Sequence, residues 1–317
     1  MKKLISLFTV LLCILSGCLW FPTDTYADET KSSDSETAAS ETVPETQTSP
    51  VILPTDKVST DDIILYSSAA CVIDVDSGEI LYYKNMDDRH YPASITKVLT
   101  GLLLIENANL DDTITFSQDC WNGLNYYNDM NIGILDGEQL TVNDALHAIL
   151  MSSANEVCNG AAKFVSGSVS AFCDLMNERA KALGCTNTHF VNPNGLHDPD
   201  HYTTAYDLYL IFNECLKYDL FKDAIHQAHY TAVFTRNGQE VQQTYDSTNY
   251  YLLGNKTPPE GVSIIGGKTG TTDNAGLCLI LYVEDGSGNG YISVLLGCPD
   301  KDTLYSSMSK LLSDISK

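Results

Sequence analysis

Strand-like runs stand near both ends of the folded part of this chain, with helical patterns between them. Ala69 to Val75 and Glu79 to Lys84 are short β-rich runs separated by Asp76-Ser77-Gly78, which has the chemistry of a hairpin turn. Thr231 to Thr235 and Glu240 to Tyr245 flank Arg236-Asn237-Gly238-Gln239, a second hairpin signal, and Val262 to Gly270, Gly276 to Tyr282 and Tyr291 to Leu296 follow as three more strands. A sheet assembled from both ends must be closed by segments far apart in sequence. The expected fold is therefore α/β in the broad sense, of the α+β kind: an antiparallel sheet flanked by helices, with an inserted helical lobe and a cleft between the two.

The helices are read from apolar spacing and their end signals. Ser94 to about Glu106 is apolar and free of proline. Asn143 to Met151 and Glu156 to Val165 flank a short break, and Ser170 to Leu183 starts at a capping serine and stops at Gly184. Thr204 with Asp207 opens a helix to about Leu216. Leu304, Met308, Leu311, Leu312 and Ile315 mark one face of a final helix, expected to pack on the sheet.

The first residues bear on location. Met1 to Lys3 give a positive start and Leu4 to Leu15 an apolar stretch of about twelve residues, too short to span a bilayer and suited to an export signal. Two cleavage sites compete. Thr25-Tyr26-Ala27 before Asp28 suits a small-residue signal peptidase site, so residues 1–27 are read as a signal peptide; Leu15-Ser16-Gly17-Cys18 is the alternative, a lipoprotein box. Residues 28–58 are dominated by Ser, Thr, Glu and Pro and form the expected disordered linker. Residues 59–317 form the expected folded domain.

With 41 acidic against 18 basic side chains the net charge is −23, which would repel nucleic acid and anionic lipid. Cys71, Cys120, Cys158, Cys173, Cys185, Cys215, Cys278 and Cys298 remain after the leader. Export permits disulfides, but several of these cysteines occupy positions for small core residues, so mostly free, buried thiols are expected. No spacing resembles a zinc site.

Three short motifs carry chemistry. Ser94-Ile95-Thr96-Lys97 opens the first long helix, and a spacing of three puts the Ser94 hydroxyl and the Lys97 amine on one face. A serine needs a base to become a nucleophile, and a lysine can serve when burial and a second cation lower its pKa. Ser153-Ala154-Asn155 occupies the break between two lobe helices, where a hydroxyl could pass a proton and an amide could hold a substrate carbonyl. Lys268-Thr269-Gly270 ends a strand with a cation, a hydroxyl and a residue lacking Cβ, an edge along which a substrate carboxylate and backbone could lie. Taken singly, each has an ordinary alternative: a helix start, a helix cap, a strand end.

In this order and context the three resemble the penicillin-recognising serine enzymes. Tyr91 to Lys97, Gly137 to Val142, Ser153 to Asn155, Phe190-Val191-Asn192-Pro193-Asn194-Gly195-Leu196 and His201 to Leu208 are together similar to the low-molecular-mass D-alanyl-D-alanine carboxypeptidases, over about residues 60–317. The resemblance implies a β-lactamase/transpeptidase-like fold and removal of the terminal D-alanine from peptidoglycan stem peptides. Ser94 would attack the peptide carbonyl, Lys97 would take its proton, and the backbone N–H groups of Ser94 and Thr271 would hold the oxyanion. Ser153 and Lys268 would help protonate the departing D-alanine, Asn155 would position the peptide and Lys97, Lys268 with Thr269 would bind the substrate carboxylate, and Gly270 and Thr271 would complete the substrate-binding edge. β-Lactams would acylate the same serine as covalent inhibitors. No metal or organic cofactor is implied.

The chain departs from the family pattern at Glu156, where aspartate is frequent, at Asn194 in place of histidine, and at Thr271 in place of an aromatic residue. None of these removes a catalytic group. The C-terminal β-rich domain and amphipathic anchor of many members are not read here, so membrane attachment is expected only through a lipidated Cys18. Two other readings are open: a β-lactamase, which would need a carboxylate-bearing loop such as Glu-x-x-Leu-Asn that is not found between Asn155 and Lys268, and a non-catalytic penicillin-binding scaffold or sensor. His197-Asp198-Pro199-Asp200-His201 superficially suits a metal, but Pro199 prevents the helix that would align its histidines. Trp121, Tyr126 and Tyr127 are expected to pack their own loop, with a cleft wall as the alternative.

Overall fold

In the computed structural model, which describes residues 66–315, the two chain ends meet in one sheet. Strands β1 (Ala69–Asp74) and β2 (Ile80–Lys84) form the expected hairpin, and β7 (Val262–Thr272), β8 (Gly276–Asp285) and β9 (Gly290–Cys298) form a meander. The order is β2-β1-β9-β8-β7 and every pairing is antiparallel. Closure is by β1 against β9, with Ala69 opposite Leu296 and Asp74 opposite Tyr291. The expected signal peptide, residues 1–27, and the expected linker, residues 28–58, lie outside the described residues.

Both faces of the sheet are buried, so β1 reads as a continuous apolar run rather than an alternating one. Its residues nevertheless divide by the two-residue period of a strand. Ala69, Cys71 and Ile73 join the core shared with the helices, while Ala70 and Val72 join the core under the last helix, α7 (Lys301–Ile315). Leu304, Met308, Leu311 and Leu312 of α7 are buried there, which is the packing its stripe predicts.

The lobe is built on α1 (Lys97–Asn107), α2 (Val142–Leu150), α3 (Asn155–Ser166) and α4 (Val169–Ala182), followed by α5 (Ala205–Cys215) and α6 (Asp219–His226). The cap of α4 is Ser168 rather than Ser170: Ser168 is extended and its hydroxyl accepts from the Ala171 N–H at 3.1 Å. Thr204 caps α5 as expected, accepting from Asp207 N. A short pair, β3 (Thr113–Thr115) and β4 (Gln139–Thr141), and the hairpin β5 (His229–Arg236) and β6 (Gln239–Asp246) complete the described elements. Asn237 and Gly238 at the hairpin turn both have positive φ, as a tight two-residue turn requires. The eight cysteines of the described residues are all free and buried.

Candidate active site

The segment Tyr91–Lys97 joins the sheet to the lobe. The structure differs here from a simple helix start: Ala93–Thr96 is a 3-10 turn, and the α-helix begins only at Lys97. In a 3-10 turn residues three apart eclipse, which brings Ser94 and Lys97 closer in azimuth than an α-helix would. The Lys97 amine donates to Ser94 Oγ at 2.9 Å, to Asn155 Oδ1 at 2.7 Å and to the Asn194 carbonyl at 2.5 Å. Three acceptors satisfy the three protons of an ammonium.

Lys97 is fully buried. Burial pushes its pKa down from 10.5 to about 8, while Cys158, Glu156 and Asp129 pull the other way. About a tenth of such a lysine is neutral at pH 7, and that fraction can accept the Ser94 proton.

Ser153 lies in the break between α2 and α3 and Asn155 is the first residue of α3, and neither caps it. The cap position is Ala154, and the Asn155 amide oxygen turns to Lys97 instead. Ser153 is buried in a left-handed conformation, with φ of 58°. Its hydroxyl accepts from the Lys268 amine at 3.1 Å, and Lys268 donates also to the Thr269 carbonyl at 2.9 Å. Burial, and after it the charge of Lys97, holds Lys268 well below the ordinary lysine range.

Strand β7 brings Lys268, Thr269, Gly270 and Thr271 along the edge of the sheet. Gly270 is required by proximity: a Cβ there would lie 2.9 Å from both the Pro92 carbonyl and the Ser94 nitrogen. The glycine therefore lets β7 press on the turn that carries Ser94. A cleft of about 310 Å³ opens between them, lined by Ser94, Ser153, Thr269, Gly270 and Thr271. All eight residues singled out from the three motifs thus meet around one cleft, Lys97, Asn155 and Lys268 beneath its surface.

Some of the site is not carried by any motif. Lys301, at the first position of α7, and Tyr250 line the same cleft as Thr269. The Lys301 amine donates to the Tyr250 hydroxyl at 2.7 Å and, among the described residues, has no carboxylate partner. Only the start of an amphipathic helix just after the last strand hinted at this position. Glu156 is buried, and its Oε1 accepts from the Ile132 and Gly133 N–H groups, tying down the loop whose Met130 walls the cleft. Desolvation raises its pKa against those hydrogen bonds. Asn194 contributes its carbonyl to Lys97, a backbone role that side-chain identity does not reveal. Trp121 and Tyr126 pack against each other with their rings tilted by 42° and Tyr127 is 92% exposed, so these rings pack or decorate their loop rather than line the cleft.

A lysine-paired serine facing a second lysine–serine pair beside a strand edge is an arrangement with the chemistry of a candidate serine acyl-transfer site. Among solved structures the chain is similar to the DD-transpeptidase of Streptomyces K15, with a TM-score of 0.72 and 25% identity over 78% of this chain and 96% of that one. It is likewise similar to a D-alanyl-D-alanine carboxypeptidase of Mycobacterium tuberculosis, with a TM-score of 0.70. Residues 55–300 match the D-alanyl-D-alanine carboxypeptidase family, peptidase S11, and the chain belongs to that family. Curated relatives include the D-alanyl-D-alanine carboxypeptidases DacF of Bacillus subtilis, 29% identical over 80% of this chain, and DacC of Escherichia coli, 31% identical over 76%. The chain spans 63% and 59% of the length of those two proteins.

Proposed function

We propose that this protein is a serine-type D-alanyl-D-alanine carboxypeptidase that removes the terminal D-alanine of peptidoglycan stem peptides. The observation that carries the reading is the buried Lys97, depressed in pKa and 2.9 Å from Ser94 Oγ. With Lys97 neutral, Ser94 Oγ bonds to the carbonyl carbon as its proton moves to Nζ, and the carbonyl electron pair becomes an oxyanion held by the Ser94 and Thr271 N–H groups. Collapse breaks the peptide C–N bond. Ser153 gives its proton to the departing D-alanine nitrogen and is resupplied by Lys268. The proton taken up by Lys97 returns to Lys268 through Ser153, water then attacks the acyl-enzyme with Lys97 again as base, and as the ester C–O bond breaks the Ser94 oxygen takes that proton from Nζ, returning the serine.

Lys268, committed to Ser153 and to a backbone carbonyl, suits this relay. The charge that meets the substrate's terminal carboxylate is therefore assigned to Lys301 in place of Lys268, with Thr269 lining the same cleft. A β-lactam would acylate Ser94 by the same steps. No carboxylate lines the cleft among the described residues, which favours slow deacylation over a β-lactamase. An export signal in residues 1–27, a linker in 28–58 and a catalytic domain in 59–317 belong to the same proposal, in which the activity is extracytoplasmic; the short apolar stretch after a positive start supports it, with lipidation of Cys18 as the alternative.

The test is release of D-alanine from a peptide ending in D-Ala-D-Ala, with Ser94→Ala as control. Release that requires Ser94 supports the assignment. A penicillin adduct without release would instead make the protein a sensor, and rapid penicillin turnover a β-lactamase.

A further inference from the structure

We propose that His201 is a positioning residue for the nucleophile, acting through Thr96 to hold Ala93 and so to aim Ser94. The inference rests on the reading of Ser94 as nucleophile. Ala93, immediately before it, has φ of 48°, a left-handed conformation that an alanine adopts only when its surroundings impose it. Its carbonyl accepts from Thr96 Oγ1 at 2.9 Å, and Thr96 Oγ1 lies 2.8 Å from His201 Nε2.

Proton counting fixes the direction of this relay. A hydroxyl has one proton, and Thr96 spends it on the Ala93 carbonyl, so His201 Nε2 must be the donor. The other ring nitrogen, Nδ1, accepts from the Val191 N–H at 3.2 Å. The ring is therefore neutral, with its proton on Nε2. Thr96 and His201 are both buried, so water does not replace either bond. Burial also pushes the His201 pKa down to about 4; Asp198 opposes this, and His189, Lys97 and His197 add to it. The neutral donor thus persists over the working range of such an enzyme.

Steric contacts close the arrangement. A Cβ on Gly195, itself at φ of 86°, would lie 1.9 Å from the Ala93 carbonyl oxygen, and Gly270 presses on the same turn from the strand side. Ala93 is boxed between two glycines, and the Thr96 bond selects its carbonyl direction. The segment containing Gly195 also supplies the Asn194 carbonyl to Lys97, so nucleophile and base are referred to one frame.

Three variants of the full protein test this: Thr96→Val, which keeps the side-chain shape but not the hydroxyl, His201→Asn, which keeps an acceptor for Val191 but cannot reach Thr96, and His201→Gln, whose amide can. The readouts are the second-order rate of Ser94 acylation by penicillin, kcat and KM for the D-Ala-D-Ala peptide, and thermal stability. Thr96→Val and His201→Asn should each slow acylation by about tenfold or more, since a reacting atom displaced by less than an ångström loses that much, with KM little changed. Their combination should be no slower than the worse single variant, and His201→Gln should recover most of the rate. Lowered stability with an unchanged acylation rate would overturn the proposal, as would rate losses that multiply independently. If His201→Asn does not fold, Thr96→Val alone decides between these outcomes. A wild-type protein that penicillin does not acylate at Ser94 would remove the nucleophile assignment, and the relay with it.

Discussion

Lys268 and Ser153 are joined by a 3.1 Å hydrogen bond in which the lysine is the donor, and both side chains are buried. A buried lysine held well below its ordinary pKa by desolvation and by Lys97 gives up a proton readily, and the hydroxyl is its outlet toward the cleft. Ser153→Ala is expected to lower kcat for D-alanine release by about 10²-fold or more with a small change in KM, the loss typical of a removed proton donor. Steady-state kinetics on a D-Ala-D-Ala peptide measures this, and a change confined to KM would reassign Ser153 to binding.

The left-handed Ser153 gives a second expectation. At φ of 58° a serine is strained, and glycine would not be. Ser153→Gly should be more stable than Ser153→Ala by up to about 1 kcal/mol, since both lose the hydroxyl and only one loses the strain. Parallel denaturant curves decide it; equal midpoints would mean that the neighbouring bonds impose no strain.

Acylation should depend on pH through Lys97. The neutral amine is the base, and burial sets its pKa at about 8, so the rate should rise about tenfold per pH unit below that value and level off above it. Because Lys97 and Lys268 interact, the measured midpoint belongs to the pair. Glu156 raises the Lys97 pKa, so Glu156→Gln should move the rising limb toward lower pH. Penicillin labelling rates from about pH 6 to about pH 9 provide the readout. A flat profile would mean that Lys97 is not the base, and an unshifted limb that Glu156 acts only on the Met130 loop.

Much of this site was legible because it is made of local motifs, and each motif sits where an element changes. Ser94 and Lys97 were placed by a helix start, Ser153 and Asn155 by a break between two apolar runs, Lys268 to Thr271 by a strand rich in glycine. The five sheet strands were legible for the same reason, being long and β-rich. What escaped depends on contacts between distant segments. Lys301 enters the cleft only because α7 folds back across the sheet. Asn194 serves through its carbonyl, and a backbone atom leaves no trace in residue identity. The 3-10 turn under Ser94 is imposed by packing from β7 and the Gly195 segment, which no local propensity encodes. The strands β3 and β4 are three residues each and pair across a long loop, and α6 is eight residues long, so its stripe of Phe221, Ala224 and Ile225 shows the helical period over little more than two turns, short of the span on which a helix is read.

Lys301 should decide how well the enzyme recognises a free carboxylate. It lines the same cleft as Thr269, its amine held toward the Tyr250 hydroxyl at 2.7 Å. Lys301→Met is expected to raise KM for a peptide ending in D-alanine by about tenfold, the loss of one charge-assisted hydrogen bond, with kcat little changed. A peptide ending in D-alaninamide should be affected far less, so the preference for acid over amide should shrink in the variant. If acid and amide suffer equally, the lysine shapes the cleft without contacting the carboxylate.

Gly270 ties the sheet to the nucleophile, and its replacement tests that contact. A methyl group at this position would approach the Pro92 carbonyl and the Ser94 nitrogen at 2.9 Å and the Ala93 side chain at 3.1 Å. The two 2.9 Å approaches are closer than a methyl carbon tolerates and both are to backbone atoms, so β7 and the turn must part by a few tenths of an ångström. The Ser94 nitrogen is also one of the two proposed oxyanion donors. Gly270→Ala should therefore cost about 1 to 3 kcal/mol of stability, as small-to-large changes in packed positions do. It should also slow acylation by about 10²-fold, since the oxyanion donors on Ser94 and Thr271 would no longer converge. Thermal unfolding and penicillin labelling on the same preparation separate the two effects. A variant that is destabilised yet acylated at the wild-type rate would show that the oxyanion is held without the Thr271 N–H, and the strand edge would then be a substrate rail only.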